Sequence, residues 1–263
     1  MRAGGVSVRI SRVRISRGRL STPARHRLHR WGAGWCTPVL GRNTPRSGVE
    51  RYGPVTETNT QETTQTAKSF ADFGVRQDIS DALAAVGITS PFPIQELTLP
   101  PALERHDIIG QAKTGTGKTL GFAIPVLEDV IAPDEDGYEE LLNPGHPQAL
   151  IILPTRELTK QVATDLRGAA KYLSTRIVDI YGGVAFEPQI EALERGADIV
   201  VGTPGRLIDL LRKGVLHLNG VETVVLDEAD EMLDLGFLPD VETLLSRVPE
   251  NRHTMLFSAT MPG

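Results

Sequence analysis

A single cysteine, Cys36, stands among 263 residues, so no internal disulfide can form and a disulfide-stapled scaffold is excluded. The thiol reads as free in a reducing compartment, which points to the cytoplasm. No apolar run approaches the roughly 20 residues needed to span a bilayer, which excludes an integral membrane protein. Glycine (26) and proline (18) are at ordinary levels, so collagen-like and mucin-like chains are excluded as well. With 40% hydrophobic and 23% charged residues, the chain has the material for one large core.

Lysine is missing altogether from the first 53 residues, and Glu50 is their only acid. That segment holds 12 arginines, so it carries +11, while the remaining 210 residues carry 16 bases against 32 acids. Such a split separates a tail from a body. Four readings of the tail (residues 1–54) stand open. It is a disordered basic extension, an RNA-binding arm in which Trp31 and Trp35 stack on bases, an organelle transit peptide, or upstream sequence translated from a mis-assigned start. The abrupt change after Tyr52 to a polar leader over residues 55–67 favours the last, with Val55 as first residue. The acidic body gives no bulk-charge hint of a nucleic-acid partner, so local motifs must reveal one.

From Phe70 onward strand and helix patterns alternate. Ile79, Ala82, Leu83 and Val86 share one helical face over Gln77–Val86, which stops at Gly87. Strands are predicted at Asp107–Gly110, Ala149–Leu153, Arg176–Tyr181, Ala197–Val201, Glu222–Asp227 and His253–Ser258. Helices are predicted from about Gly117 to Ile131 and through Leu158, Val162, Leu166 and Leu173. Strands alternating with helices imply right-handed crossovers and an α/β fold, a parallel sheet with helices on both faces. Residues 132–148, rich in Pro and Gly with five acids, read as a surface insertion, a solvated linker.

Two segments carry chemistry. Ala112-Lys-Thr-Gly-Thr-Gly-Lys-Thr119 follows a predicted strand and opens a helix, the context of a phosphate-binding loop. Glycines let backbone N–H groups turn towards phosphates, and the helix N-terminus adds positive potential. Lys118 reaches the β- and γ-phosphates, and the Thr119 hydroxyl can ligand Mg²⁺. Ala112 replaces the usual first glycine, and a Gly-rich connection is the plain alternative. Downstream, an apolar strand ends at Asp227, which delivers a carboxylate to the Mg²⁺ site at the sheet's carboxyl edge. Glu228 follows, placed to polarise the attacking water. Acids at a strand end can also merely cap the next helix.

Asp227-Glu-Ala-Asp230 resembles the signature of DEAD-box RNA helicases, and other first-domain motifs follow in order. Phe70 with Gly87-Ile-Thr-Ser-Pro-Phe-Pro-Ile-Gln95 resembles the Q motif, residues 112–119 motif I, and Pro154-Thr-Arg-Glu-Leu158 motif Ia. Gly182-Gly183 is similar to the GG element, Thr203-Pro-Gly-Arg206 to motif Ib and Ser258-Ala-Thr260 to motif III. The resemblance covers roughly residues 68–263, with the Q-motif region at 68–96 and an ATP-binding RecA-like domain from 97. It implies that Gln95 reads adenine with its amide and that Phe70 packs on the base. It also implies that the loop residues Ala112, Lys113, Thr114, Gly115, Thr116, Gly117, Lys118 and Thr119 hold Mg·ATP. Pro154, Thr155, Arg156, Gly182, Gly183, Thr203, Gly205 and Arg206 would line an RNA backbone without reading sequence. Ser258 and Thr260 would bond Asp230 and couple nucleotide state to RNA grip.

The family has a second RecA-like domain whose arginines contact the γ-phosphate, and no motif of it occurs here. The first domain itself looks a helix and a strand short. Two functions stay open: the ATPase half of an RNA helicase that separates short duplexes locally, or a non-catalytic ATP- and RNA-binding module. A DNA helicase is disfavoured by the Q motif and the DEAD spelling.

Overall fold

The computed structural model describes residues 7–11, 68–113 and 115–260. Thr114 and the assignments made for Trp31, Trp35, Cys36, the polar leader and a start at Val55 lie outside the described residues. Strands β1 (Ser7–Ser11), β2 (Asp107–Gln111), β3 (Ala149–Ile152), β4 (Ile177–Ile180), β5 (Ile199–Gly202), β6 (Thr223–Leu226) and β7 (His253–Ser258) form one sheet. Their order is β1-β2-β7-β6-β3-β5-β4. The six strands β2–β7 are parallel, as the alternation predicts.

The seventh strand corrects the reading of the tail as an extension that packs against nothing. Ser7–Ser11 pairs antiparallel with β2, Val8 opposite Gly110. The cause is the sheet edge: without β1, the outer side of β2 would present a row of unpaired N–H and C=O groups. A short alternating segment satisfies them, and Val8 packs against the core.

Helices α1 (Gln77–Ala84), α2 (Pro93–Leu103), α3 (Lys118–Asp129) and α4 (Arg156–Ala169) cover one face. Helices α5 (Glu187–Glu194), α6 (Pro204–Arg212), α7 (Ala229–Asp234) and α8 (Leu238–Leu245) cover the other. Because successive strand residues point to opposite faces, Ala149 and Ile151 enter the first core while Leu150 and Ile152 enter the second. That double burial is why the central strands read as unbroken apolar runs. Among the described residues no helix is long and apolar enough to cross a membrane.

The register places the strand ends level. Gln111 lies beside Ser258, Ile152 beside both Leu226 and Gly202, and Ile180 beside Gly202. The loops that follow these strands therefore leave the sheet at the same carboxyl edge.

Residues 132–148 differ from a solvated linker. Gln148 grips Ile131 reciprocally: its Nε2 donates to the Ile131 carbonyl (2.8 Å) and its Oε1 accepts from the Ile131 N–H (2.9 Å). Tyr138 is buried and meets Arg176, which also holds the buried Asp198 at 2.7 Å. Glu135 pairs with Arg76 at 2.7 Å. The segment folds down because Ala132, Tyr138 and Gln148 each gain more from burial and bonding than the polar surface around them suggests.

Candidate functional site

The loop after β2 bonds back to the sheet, with the Ala112 N–H donating to the Ser258 carbonyl at 3.1 Å. Gly115 and Gly117 both take left-handed backbone angles (φ +84° and +83°), which side chains on Cβ resist. At Gly117 the space is closed too: a Cβ there would lie 2.8 Å from both Gln95 Nε2 and Phe92 Cδ2. The Thr116 hydroxyl closes the turn on the Lys113 carbonyl at 2.7 Å. Lys118 then starts α3 and points to the end of β6.

There three charges meet in nearly complete burial. Lys118 Nζ lies 2.8 Å from Glu228 Oε1 and 3.5 Å from Asp227 Oδ1. Burial, opposed by Lys118 and reinforced by the neighbouring Glu228, pushes the Asp227 carboxyl up to about 6. Glu228 holds a left-handed backbone (φ 52°, ψ 49°), unusual for a residue with a side chain. Such strain, on the order of 1–3 kcal/mol, concentrates at functional sites. Here it turns two consecutive carboxylates onto one ammonium, and the Glu228 N–H bonds Asp227 Oδ1 at 2.9 Å.

The residues fit Mg²⁺. Asp227 and the part-exposed Thr119 offer hard oxygen donors, and a carboxylate this buried gains from an added cation. Among the described residues no cluster of three or more His, Cys, Asp or Glu could cage a metal.

Asp230, one turn on, accepts two bonds from Thr260, from its N–H (2.9 Å) and its hydroxyl (2.8 Å). Burial pushes Asp230 upwards, but the bonds from Thr260 and Ser258 outweigh it and leave the carboxyl below its ordinary value. The Ser258 hydroxyl also donates to the Thr260 carbonyl.

Three expected site residues are buried and hold contacts within the protein. Gln95 is fully buried, its Oε1 accepting from the Phe92 N–H (3.0 Å) and its Nε2 donating to the Gly117 carbonyl (2.8 Å). An amide left unpaired in that position would cost about 1–3 kcal/mol, so it takes backbone partners and becomes a strut between α2 and the phosphate loop. Phe70 is 2% exposed and sits in the hydrophobic core, where its ring loses more water contact than it would beside a base. Arg206 is 8% exposed and faces inward rather than along an open groove. Its guanidinium donates to the Val184 carbonyl (2.8 Å) and lies 3.9 Å from the Phe186 ring centroid, so it clamps the loop that carries Gly182 and Gly183.

The remaining loop residues do gather on the carboxyl edge. Thr155 caps α4, accepting from the Leu158 N–H at 3.3 Å, beside buried Pro154. Exposed Arg156 lies 5.8 Å from the Tyr181 ring, joined by Lys160 at 5.1 Å. Gly183, at φ +77°, would bring a Cβ within 3.6 Å of the Arg156 guanidinium. Thr203 caps α6 with no side-chain bond to its helix, and Gly205 is exposed. Lys160, Tyr181 and Phe186, which the motif reading did not name, pack around Arg156 and Arg206. An aromatic beside a cationic helix face was the available signal.

A glycine-rich loop between β2 and α3, a buried lysine, and two carboxylates at the end of β6, one strand removed from β2, define a P-loop domain of the RecA-like type. The sequence model described as DEAD/DEAH box helicase matches residues 92–263, and the chain belongs to that family. It is 47% identical over 193 residues to the DEAD-box ATP-dependent RNA helicase CshA of Streptococcus pneumoniae, covering 73% of this chain and 35% of that one. It is 47% identical over 195 residues to the ATP-dependent RNA helicase DeaD of Haemophilus influenzae, covering 74% and 30%. Among solved structures, a DEAD box protein of Methanococcus jannaschii superposes with a TM-score of 0.67 at 40% identity, covering 74% of this chain and 50% of that one. The chain thus spans about a third of the length of these curated relatives.

Proposed function

We propose that this chain is the ATP-binding half of a cytoplasmic RNA helicase, binding Mg·ATP and an RNA backbone and coupling hydrolysis to local strand separation when joined to a second RecA-like domain. The observation that carries this reading is the buried Lys118–Asp227–Glu228 cluster beneath the phosphate loop. Negative phosphates at that loop draw Lys118 away from the carboxylates, which frees Glu228 to accept the proton of the attacking water. The water oxygen bonds to the γ-phosphorus as the bond to the bridging oxygen breaks, releasing ADP and phosphate. Thr119 and Asp227 would hold magnesium, which supplies charge neutralisation on the phosphate oxygens when bound.

The adenine reading assigned to Gln95 is compatible with its valences. Only one of two oxygen lone pairs and one of two N–H groups are spent on Phe92 and Gly117, so opening of the Phe92 segment presents a free donor and acceptor. RNA is proposed to run over Thr155, Arg156, Gly182, Gly183, Thr203 and Gly205, held by backbone groups, hydroxyls and one guanidinium, without base readout. Arg206 takes part by shaping the glycine loop. The Asp230–Thr260 bonds are the proposed link between nucleotide and RNA.

Equilibrium binding of ATP to Lys118→Ala and Glu228→Gln variants tests the core of this reading. Lys118→Ala is expected to weaken triphosphate binding, while Glu228→Gln leaves binding within a few-fold of the parent. Loss of binding in Glu228→Gln would make Glu228 a ligand of the metal or phosphate rather than the group that activates water.

A further inference from the structure

At the amino edge of the sheet, opposite the phosphate loop, the segments leading into β2, β3, β6 and β7 enclose a cleft of about 730 Å³. That size falls within the roughly 300–1,000 Å³ of small-ligand sites. The strands stand in the order β2-β7-β6-β3, so their starts bring distant residues together. Arg105 comes from before β2, Asn143 and His146 from before β3, and Arg252 from before β7.

Backbone strain marks this cleft as it marks the carboxyl edge. Among the described residues only Glu228 and Arg105 are non-glycine residues with a left-handed backbone, Arg105 at φ 58°. Arg105 follows the cap of α2, the place where helices usually put glycine. Its guanidinium reaches Asp129 and Glu222, at 3.3 Å each. The Glu222 pair is exposed, so it holds Arg105 weakly and can yield to a better acceptor.

Bonding in the cleft is lopsided. Each carboxylate of the lining has a partner: Asp107 accepts from the Thr254 N–H at 2.7 Å, Glu222 meets Arg105, and Glu104 meets His106 at 3.4 Å. Several nitrogens have none. Among the described residues Asn143 Nδ2, His146 Nδ1 and Arg252 Nε are shielded from solvent and have no hydrogen-bond partner. Nor does Arg252 meet a carboxylate among these residues; its guanidinium donates to the Pro249 carbonyl at 3.0 Å. Folded proteins leave few buried polar groups unpaired, so a ligand that completes this set brings acceptors.

We propose that the amino-edge cleft binds a small organic oxyanion, a molecule bearing a carboxylate or a phosphate, at a site separate from the nucleotide. Arg252 and Asn143 donate to the oxyanion, and His146 adds its Nδ1–H. Arg105 turns from Glu222 to join them. The ligand is the counter-ion that Arg252 lacks among the described residues, and the cleft has room for a carbon skeleton behind the charged group.

The test is a nuclear magnetic resonance titration of the full chain with citrate and, separately, with glucose 6-phosphate, glucose being the uncharged control. Saturable shifts are expected in the amide signals of residues 104–107, 143–146 and 251–253 with at least one anion and not with glucose. Which anion acts separates a carboxylate ligand from a phosphate ligand. Arg252→Gln is expected to weaken that binding roughly 10- to 150-fold, as for the loss of a charged hydrogen bond. Arg105→Gly, which relieves the strained backbone, is expected to stay folded and to bind the anion more weakly. Absence of saturable shifts at these residues with both anions overturns the proposal, as do equal shifts with glucose. Shifts confined to residues 112–119 overturn it as well, since the anions would then be read by the phosphate loop alone. Unchanged affinity in both variants would leave the guanidinium groups without a part in binding and overturn it too.

Discussion

Replacing Asp227 by Asn should stabilise the ligand-free protein while removing its chemistry. The Asp227 carboxyl is nine-tenths buried, and burial lifts it from 3.8 to about 6. An acid raised on folding binds more protons folded than unfolded between those values. Its contribution to stability is therefore unfavourable at neutral pH and fades as pH falls towards 4. A shift of this size corresponds to about 3 kcal/mol at pH 7.5. Asn keeps the Oδ1 acceptor that Glu228 N–H uses at 2.9 Å and that faces Lys118 at 3.5 Å, but it gives up the charge attraction to Lys118, so the net gain is about 1–3 kcal/mol. For a domain of this size that raises the melting temperature by roughly 2–10 °C. The assay is thermal unfolding of parent and Asp227→Asn with EDTA and without nucleotide, at pH 7.5 and pH 4.5. At the lower pH the advantage should shrink to about a third. A variant that melts at or below the parent at pH 7.5, or an advantage independent of pH, would refute the reasoning.

Other outcomes follow from the same geometry. Arg206→Ala should loosen residues 182–186, seen as faster amide exchange there, and lower RNA affinity without altering ATP binding; unaltered exchange would mean that the clamp holds nothing. Gln95→Ala should cost about 1–3 kcal/mol of stability through the orphaned Phe92 N–H and Gly117 carbonyl, and also relax discrimination between ATP and GTP. If only stability falls, Gln95 is a strut alone. Residues 55–263 by themselves should hydrolyse ATP near background with or without single-stranded RNA, because an arginine supplied to the γ-phosphate is worth roughly 10³–10⁵ in rate. Fusion of a relative's second domain after Gly263 should restore RNA-stimulated turnover, and strong stimulation without it would refute the dependence.

The parallel sheet was legible because its strands are buried on both faces and so written as plain apolar runs; β7 matches the expected His253–Ser258 to the residue. Phosphate-loop and carboxylate positions were legible because each strand end fixes where its next residues emerge. Helix α2 was not read as a helix, since Pro100 and Pro101 signal a break, yet both sit inside it. β1 was missed because its pairing depends on an exposed edge of β2, a fact of three dimensions with no local mark. For Gln95, Phe70 and Arg206 the motif says nothing of the burial and internal partners that the structure shows. A motif fixes residue identity and loop, whereas direction depends on what else competes for the side chain: a carbonyl 22 residues away for Gln95, and Phe186 for Arg206.

The reciprocal grip of Gln148 on Ile131 gives the 132–148 segment a practical use. Its two ends are fastened to each other, so its length is thermodynamically insulated from the helix α3 and strand β3 that it joins. Lengthening a loop whose ends are already fixed costs only about 0.6 kcal/mol per doubling. Leu142, at the exposed crest, is therefore a site where a fluorophore-bearing peptide or affinity tag can be spliced in. Reporters placed there would ride on the domain without entering its chemistry.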